Sequence, residues 1–210
     1  YIENGRIADV GDVRSRSGLR AIVEEIRPEV RLTAQQNVIL AGIKPAQKAR
    51  VDQLLAEYGI AALESIPRAI RYSMACPAIP TCGLAVAEAE RALPSLIRQI
   101  ASMLEELGLG HERISFRMSG CPNGCSRPYL GDVGFVGTTL GKYDVMLAGD
   151  FDGTRLNRVY APNVPIGVIP SLLRPMFVDF GANRAPGEGF GDWVERVGFE
   201  ALRERSEQPA

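Results

Sequence analysis

The sequence predicts an α+β fold in two parts: a small β-α-β-β-α unit over residues 1–62 and a larger mixed α/β region over residues 63–210. Three observations predict it. Strand and helix periodicities alternate quickly through the first sixty positions, a long helical stretch follows, and an alternating strand then runs directly into Gly120-Cys121.

Residues 2–10 read as a weak strand. Ser17 is placed to cap a helix whose apolar residues Leu19, Ile22, Val23 and Ile26 fall at i, i+3, i+4 and i+7, and Pro28 stops it. Residues 30–34 and 37–43 read as two strands joined at the polar Gln35-Gln36 corner. Pro45 suits the first position of a second helix, with Val51, Leu54, Leu55 and Tyr58 on its apolar face and Gly59 at its end. This order is that of a ferredoxin-like half sandwich. After a turn-rich linker over 61–73, residues 83–107 read as helix divided at Pro94, because a mid-helix proline costs about 3 kcal/mol. Leu96, Ile97, Ile100, Leu104 and Leu107 hold one face of its second part.

Ile114, Phe116 and Met118 alternate with Arg113, Ser115 and Arg117, the pattern of a half-buried strand. Residues 133–138 and 142–148 read as two further strands, 168–179 as a helix, 187–193 as loop, and the last few residues as frayed.

Composition bounds the function. With 46% hydrophobic and 23% charged residues and a net charge of −1, the chain has ordinary globular composition and no long-range field for nucleic acid or an anionic membrane. Its longest uncharged stretches, 72–87 and 159–173, are too short to span a bilayer. It starts at Tyr1 inside a strand-like pattern, which reads as a piece of a longer protein. A single histidine, His111, excludes multi-histidine metal sites and reads as a surface or capping residue. Arginine outnumbers lysine 21 to 3, a bias that genomic composition explains and that also suits bidentate grip on oxyanions.

The cysteines carry the chemistry. Cys76-x5-Cys82 and Cys121-x3-Cys125 are two close pairs separated by 38 residues, able to converge as four-thiolate ligands. Disulfides and structural zinc compete with an iron–sulfur cluster. Each pair opens with Cys-Pro, which removes an amide donor and fixes φ, and Asn123-Gly124 permits the positive φ values that turn two thiolates to one side. The spacing favours the cluster.

The residues around these cysteines resemble the assimilatory sulfite reductase hemoprotein of the sulfite/nitrite reductase siroheme family. The likeness runs through Tyr72-Ser73-Met74-Ala75-Cys76, Pro80-Thr81-Cys82, Ala87-Glu88-Ala89-Glu90-Arg91 and Arg117-Met118-Ser119-Gly120-Cys121-Pro122-Asn123-Gly124-Cys125. It extends to Ile2-Glu3-Asn4-Gly5-Arg6, Leu32-Thr33-Ala34-Gln35-Gln36-Asn37 and Gly187-Glu188-Gly189-Phe190-Gly191-Asp192.

The resemblance implies a siroheme and 4Fe–4S binding module after the ferredoxin-like one. It makes Cys76, Cys82, Cys121 and Cys125 the cluster ligands, with Cys125 bridging to the siroheme iron. It makes Gln36 and Asn123 siroheme contacts, and Arg117 and Arg127 could grip carboxylates or tune the cluster. Glu88, Glu90 and Arg91 are expected on a helix as buried pairs beneath it. The implied reaction is six-electron reduction of sulfite to sulfide, fed by ferredoxin or an NADPH-dependent flavoprotein. The substrate-holding residues belong to an N-terminal half outside this sequence. A ferredoxin-type nitrite reductase and a non-catalytic iron–sulfur or zinc module are the competing readings. Cytoplasm is the expected compartment, because thiolates and cluster need reducing conditions.

Overall fold

A computed structural model describes residues 1–207 of the chain, with side chains to residue 205. It divides into two units, Tyr1–Ile66 and Pro67–Ala210. The frayed end expected at the C-terminus falls on residues 208–210, which lie outside those described.

The first unit opens with a 3-10 turn, Glu3–Gly5, followed by the hairpin β1 (Asp9–Val10) and β2 (Val13–Arg14). The strand expected over 2–10 therefore shrinks to two residues: Asn4 and Gly5 take positive φ, which breaks an extended run. Helix α1 spans Ser15–Ile26. Ser17 does not cap it. The Asp9 carboxylate accepts the Ser17 backbone N–H at 3.0 Å and its hydroxyl at 2.7 Å, so a residue of β1 satisfies the first turn. Strands β3 (Glu29–Leu32) and β4 (Val38–Ala41) pair antiparallel around the Gln35-Gln36 corner, and α2 spans Pro45–Glu57 with proline in its first turn. Ile22, Val51 and Leu54 are the buried heart of this unit.

The 61–73 linker contains a 3-10 turn at Leu63–Ser65, still in the first unit, and in the second unit it forms the short helix α3 (Arg68–Arg71) and ends in strand β5 (Ser73–Ala75). Helix α4 runs from Leu93 to Glu106. Pro94 starts this helix instead of dividing one, since a first-turn residue has no intrahelical N–H partner to lose. Residues 83–92 are turns. Strands β6 (Phe116–Ser119), β7 (Val133–Thr139), β8 (Lys142–Leu147) and β9 (Arg158–Pro165) complete a sheet of order β5-β6-β7-β8-β9. β5, β6 and β7 are parallel, and the other pairings are antiparallel.

The expected half-buried strand is buried on both faces, Arg117 included, because a central parallel strand is covered from both sides. Helix α5 spans Ile169–Asn183, and α6 (Phe190–Val197) and α7 (Phe199–Glu207) follow. The loop expected over 187–193 becomes helix from Phe190. Phe190, Trp193 and Val194 are fully buried, and their i, i+3, i+4 packing against Phe177 and Phe180 overrides the glycines. Among the described residues no helix is long and apolar enough to cross a membrane.

Candidate metal centre

Sheet register alone brings the two cysteine pairs together. Ala75 lies opposite Met118 in the parallel β5/β6 pair, so Cys76 leaves β5 beside Ser119 while Gly120-Cys121 leaves β6. The Cys76 N–H donates to Met118 O at 3.1 Å and extends the ladder by one rung. Carboxyl ends of parallel strands are where open α/β sheets bind ligands.

Three tertiary braces fix the loops. The Val86 and Ala87 N–H groups both donate to Gly120 O at 3.0 Å, and the Glu90 N–H donates to Cys76 O at 3.1 Å. These bonds hold residues 83–92 out of the expected helix and against both cysteine loops. A Cβ at Gly120 would stand 2.5 Å from Ala87 O, so only glycine allows that approach. The buried Tyr143 hydroxyl donates to Glu88 O at 2.7 Å, and burial pushes its pKa up to about 12. Tyr129 donates to Pro122 O at 2.7 Å, and its ring would lie 2.6 Å from a Cβ at Gly124, whose φ is +65°. Glu88 and Arg91 do pair, but as partly exposed side chains on a turn, a correction to the buried helical pairing.

All four cysteines are free thiols. Cys76 and Cys121 are buried, Cys82 is half-buried and Cys125 is exposed. Burial pushes the Cys76 thiol up. The Gly120 N–H, 3.3 Å from its sulfur, opposes that shift together with the Ala78 N–H and the Ser119 hydroxyl, whereas the charge of Cys125 adds to it. Burial pushes the Tyr129 phenol up, and the charge of Cys121 adds to that. Among the described residues no three His, Cys, Asp or Glu side chains stand in a metal-binding arrangement. The backbone therefore brings the two loops together, while the side chains as placed do not form one coordination set. The donor set itself suits a cluster: four soft sulfurs, none in a disulfide, with an N–H donor aimed at one of the two buried ones.

Arg117 is 7% exposed, and its Nη1 donates to Arg127 O at 3.4 Å. Burial lowers its pKa, the like charge of Arg127 adds to that, and Asp132 opposes it. Arg127 sits at φ +54° with Nη2 3.9 Å from the Met74 sulfur. Asn123 is exposed at the tip of the second cysteine loop. Gln36 belongs to the first unit, at φ +62° on the β3–β4 corner, with its side chain against Gly5. His111 lies on a turn, largely exposed, with Nε2 2.7 Å from Glu112. Ser119, Ser126, Tyr129 and Tyr143 were not singled out by the sequence. For Ser119 the available signal was its place one residue before Gly120-Cys121.

Residues 2–58 match the nitrite/sulfite reductase ferredoxin-like half domain. A sulfite reductase (ferredoxin) of Synechococcus elongatus is 46% identical over 98% of this chain and 33% of its own length. A sulfite reductase (NADPH) hemoprotein beta-component of Staphylococcus haemolyticus is 44% identical over 96% of the chain and 35% of its own. The chain belongs to the nitrite/sulfite reductase family. It spans about a third of the length of these curated relatives. The fold is also that of two solved structures. The Mycobacterium tuberculosis NirA protein has TM-score 0.75 at 22% identity, over 89% of this chain and 36% of that one. Dissimilatory sulfite reductase I has TM-score 0.71 at 12% identity, over 98% and 68%.

Proposed function

We propose that the chain is the cluster-bearing portion of a sulfite reductase, which reduces sulfite to sulfide by six electrons. The observation that carries the reading is the β5/β6 register, which starts both cysteine loops from adjacent strand ends. The names of the relatives support sulfite as substrate.

In this reading Cys76, Cys82, Cys121 and Cys125 would hold a 4Fe–4S cluster, and Cys125, the exposed thiol, would be the one available to the siroheme as well. When bound, the two groups would supply one-electron transfer and a site for the sulfur of sulfite. Everything else falls to side chains. Asn123, at the loop tip, and Gln36, in the half-domain module, contribute hydrogen bonds to the siroheme periphery. Arg117 and Arg127 lie side by side, and their like charges favour an anionic neighbour such as a siroheme carboxylate. Tyr129 and Tyr143 hold the loops in place, so the cysteine donors would be presented on a fixed backbone.

The partners are an N-terminal half that binds the substrate anion and an electron donor, ferredoxin or an NADPH-linked flavoprotein; the relatives' names include both donor types. The free thiols fit a reducing compartment such as the cytoplasm.

The test is steady-state reduction by the full-length protein, purified anaerobically from cells that make siroheme, with sulfite and nitrite offered separately. A higher kcat/KM for sulfite, with visible bands that shift on sulfite addition, is expected. Preference for nitrite would move the chain to the nitrite branch, and a colourless zinc protein would remove it from the reductases.

A further inference from the structure

Arg117 is buried in the sheet of the second unit, yet its guanidinium is short of partners. It is 7% exposed, and among the described residues its one hydrogen bond is the 3.4 Å contact from Nη1 to Arg127 O. No carboxylate among the described residues forms an ion pair with it. Asp132, whose charge reaches it, has its oxygens taken by Ser115 and the Gly191 N–H. Nε and Nη2 are without partners and are not sealed from solvent. A guanidinium carries five N–H donors in a fixed fork, so most of this fork faces outward.

The sheet holds that fork in place. Arg117 projects from the face of β6 opposite Phe116 and Met118, which belong to the main core. It stands across from Met74 in β5 and Gly134 in β7, and a Cβ at Gly131 would lie 3.3 Å from its Cγ and Cδ. Arg127 reaches the same face, with Nη2 3.9 Å from the Met74 sulfur. Met74 and Cys76 flank Ala75, and the Cys76 N–H continues the ladder to Met118 O, so Arg117 and Cys76 project from one side of the sheet.

We infer that Arg117, backed by Arg127, is a carboxylate-binding site, its ligand being either the carboxylate periphery of the tetrapyrrole or an Asp or Glu side chain of the same polypeptide outside this sequence. A carboxylate matches the fork with two oxygens and supplies the counter-charge that a buried guanidinium needs. The first source rests on the siroheme proposed above. The second does not, and the chain spans about a third of the length of its curated relatives, which leaves room for it. Binding is reversible and moves no proton or electron.

The experiment compares the full-length protein with Arg117→Met, which keeps the stem without the fork, and Arg117→Lys, which keeps the charge. Each is purified anaerobically from cells that make siroheme and from cells that do not. The rate of siroheme loss is read from the visible bands, and melting temperature is read on the siroheme-free protein. If the tetrapyrrole supplies the carboxylate, Arg117→Met loses siroheme about tenfold faster than the parent, Arg117→Lys less so, and neither melts lower. If the polypeptide supplies it, siroheme-free Arg117→Met melts below the parent while Arg117→Lys stays close to it.

Equal effects of Met and Lys in both readouts overturn the site, because only the stem then matters. Parental behaviour of both variants in both readouts overturns it as well. A full-length protein that takes up no siroheme overturns the reading above, and the melting comparison alone then decides: a fall confined to Arg117→Met supports the site, and its absence overturns it. Arg127→Gln, at the half-buried arginine, carries the test where Arg117→Met does not fold; it should move the same readout in the same direction, and no movement overturns the site.

Discussion

The two ends of the parallel part of the sheet do opposite jobs with similar materials. At the amino ends of β6 and β7, the Asp132 carboxylate is buried and saturated: it accepts the Ser115 N–H at 2.9 Å, the Ser115 hydroxyl at 2.6 Å and the Gly191 N–H at 3.2 Å. Around it lies a polar cavity of about 680 Å³ whose charges pair among themselves, Arg184 with Glu112 and Arg155 with Asp192. At the carboxyl ends of β5 and β6, the buried groups include the Cys76 and Cys121 thiols, and the two arginines Arg117 and Arg127 carry like charge. One end is closed by a carboxylate and the other is lined by thiols. Buried groups that satisfy one another stabilise a fold, whereas buried groups aimed at a common space hold a ligand.

The contrast can be broken at either end. The largest expected effect is Asp132→Ala, which leaves two backbone N–H groups and a hydroxyl without their acceptor; it should cost about 3 kcal/mol or more and lower the melting temperature by roughly 6–12 °C. A calorimetric scan checks it, and an unchanged transition would make this end no more structural than the other. Gly120→Ala comes next. The added methyl meets Ala87 O, so residues 86–87 must move off the cysteine loops, and metal retention in the full-length protein should weaken about tenfold or more while far-UV circular dichroism stays native. Iron analysis after gel filtration reads that loss.

Tyr129→Phe removes only the bond to Pro122 O, so about 1 kcal/mol of stability should go, measurable by urea titration. The smallest effect belongs to the first unit. Hydrogen bonds from Ser17 hold the Asp9 carboxyl below its ordinary value of 3.8, so its contribution is present above that pH and fades as pH falls through the lowered value. Acid titration should find Asp9→Asn slightly less stable at pH 7, with the difference vanishing at the acid end.

Much of this was legible in the sequence, for physical reasons. Helices α1 and α2 follow from apolar periodicity, the β3–β4 hairpin from its polar corner, and the cysteine loops from spacing. Failures came where tertiary contacts overrule local pattern. Residues 83–92 carry helical periodicity, yet Gly120 O and Cys76 O capture their N–H groups. Residues 187–193 look like loop by glycine content, yet the Phe190 and Trp193 side chains complete the aromatic core and draw α6 into being. Arg117 alternates like a surface residue, but strands on both sides bury it. The Ser119–Ser126 pair has no local signature, because its two hydroxyls meet only when the chain after β6 folds back on the strand end.

The most direct test of the account is the iron and acid-labile sulfide content of the anaerobically purified full-length protein, compared with its Cys121→Ser variant. The account predicts about four cluster irons and a matching amount of sulfide per chain, with most of both lost in a variant that remains folded. Equal iron and sulfide in the two proteins, or zinc in place of iron, would contradict it.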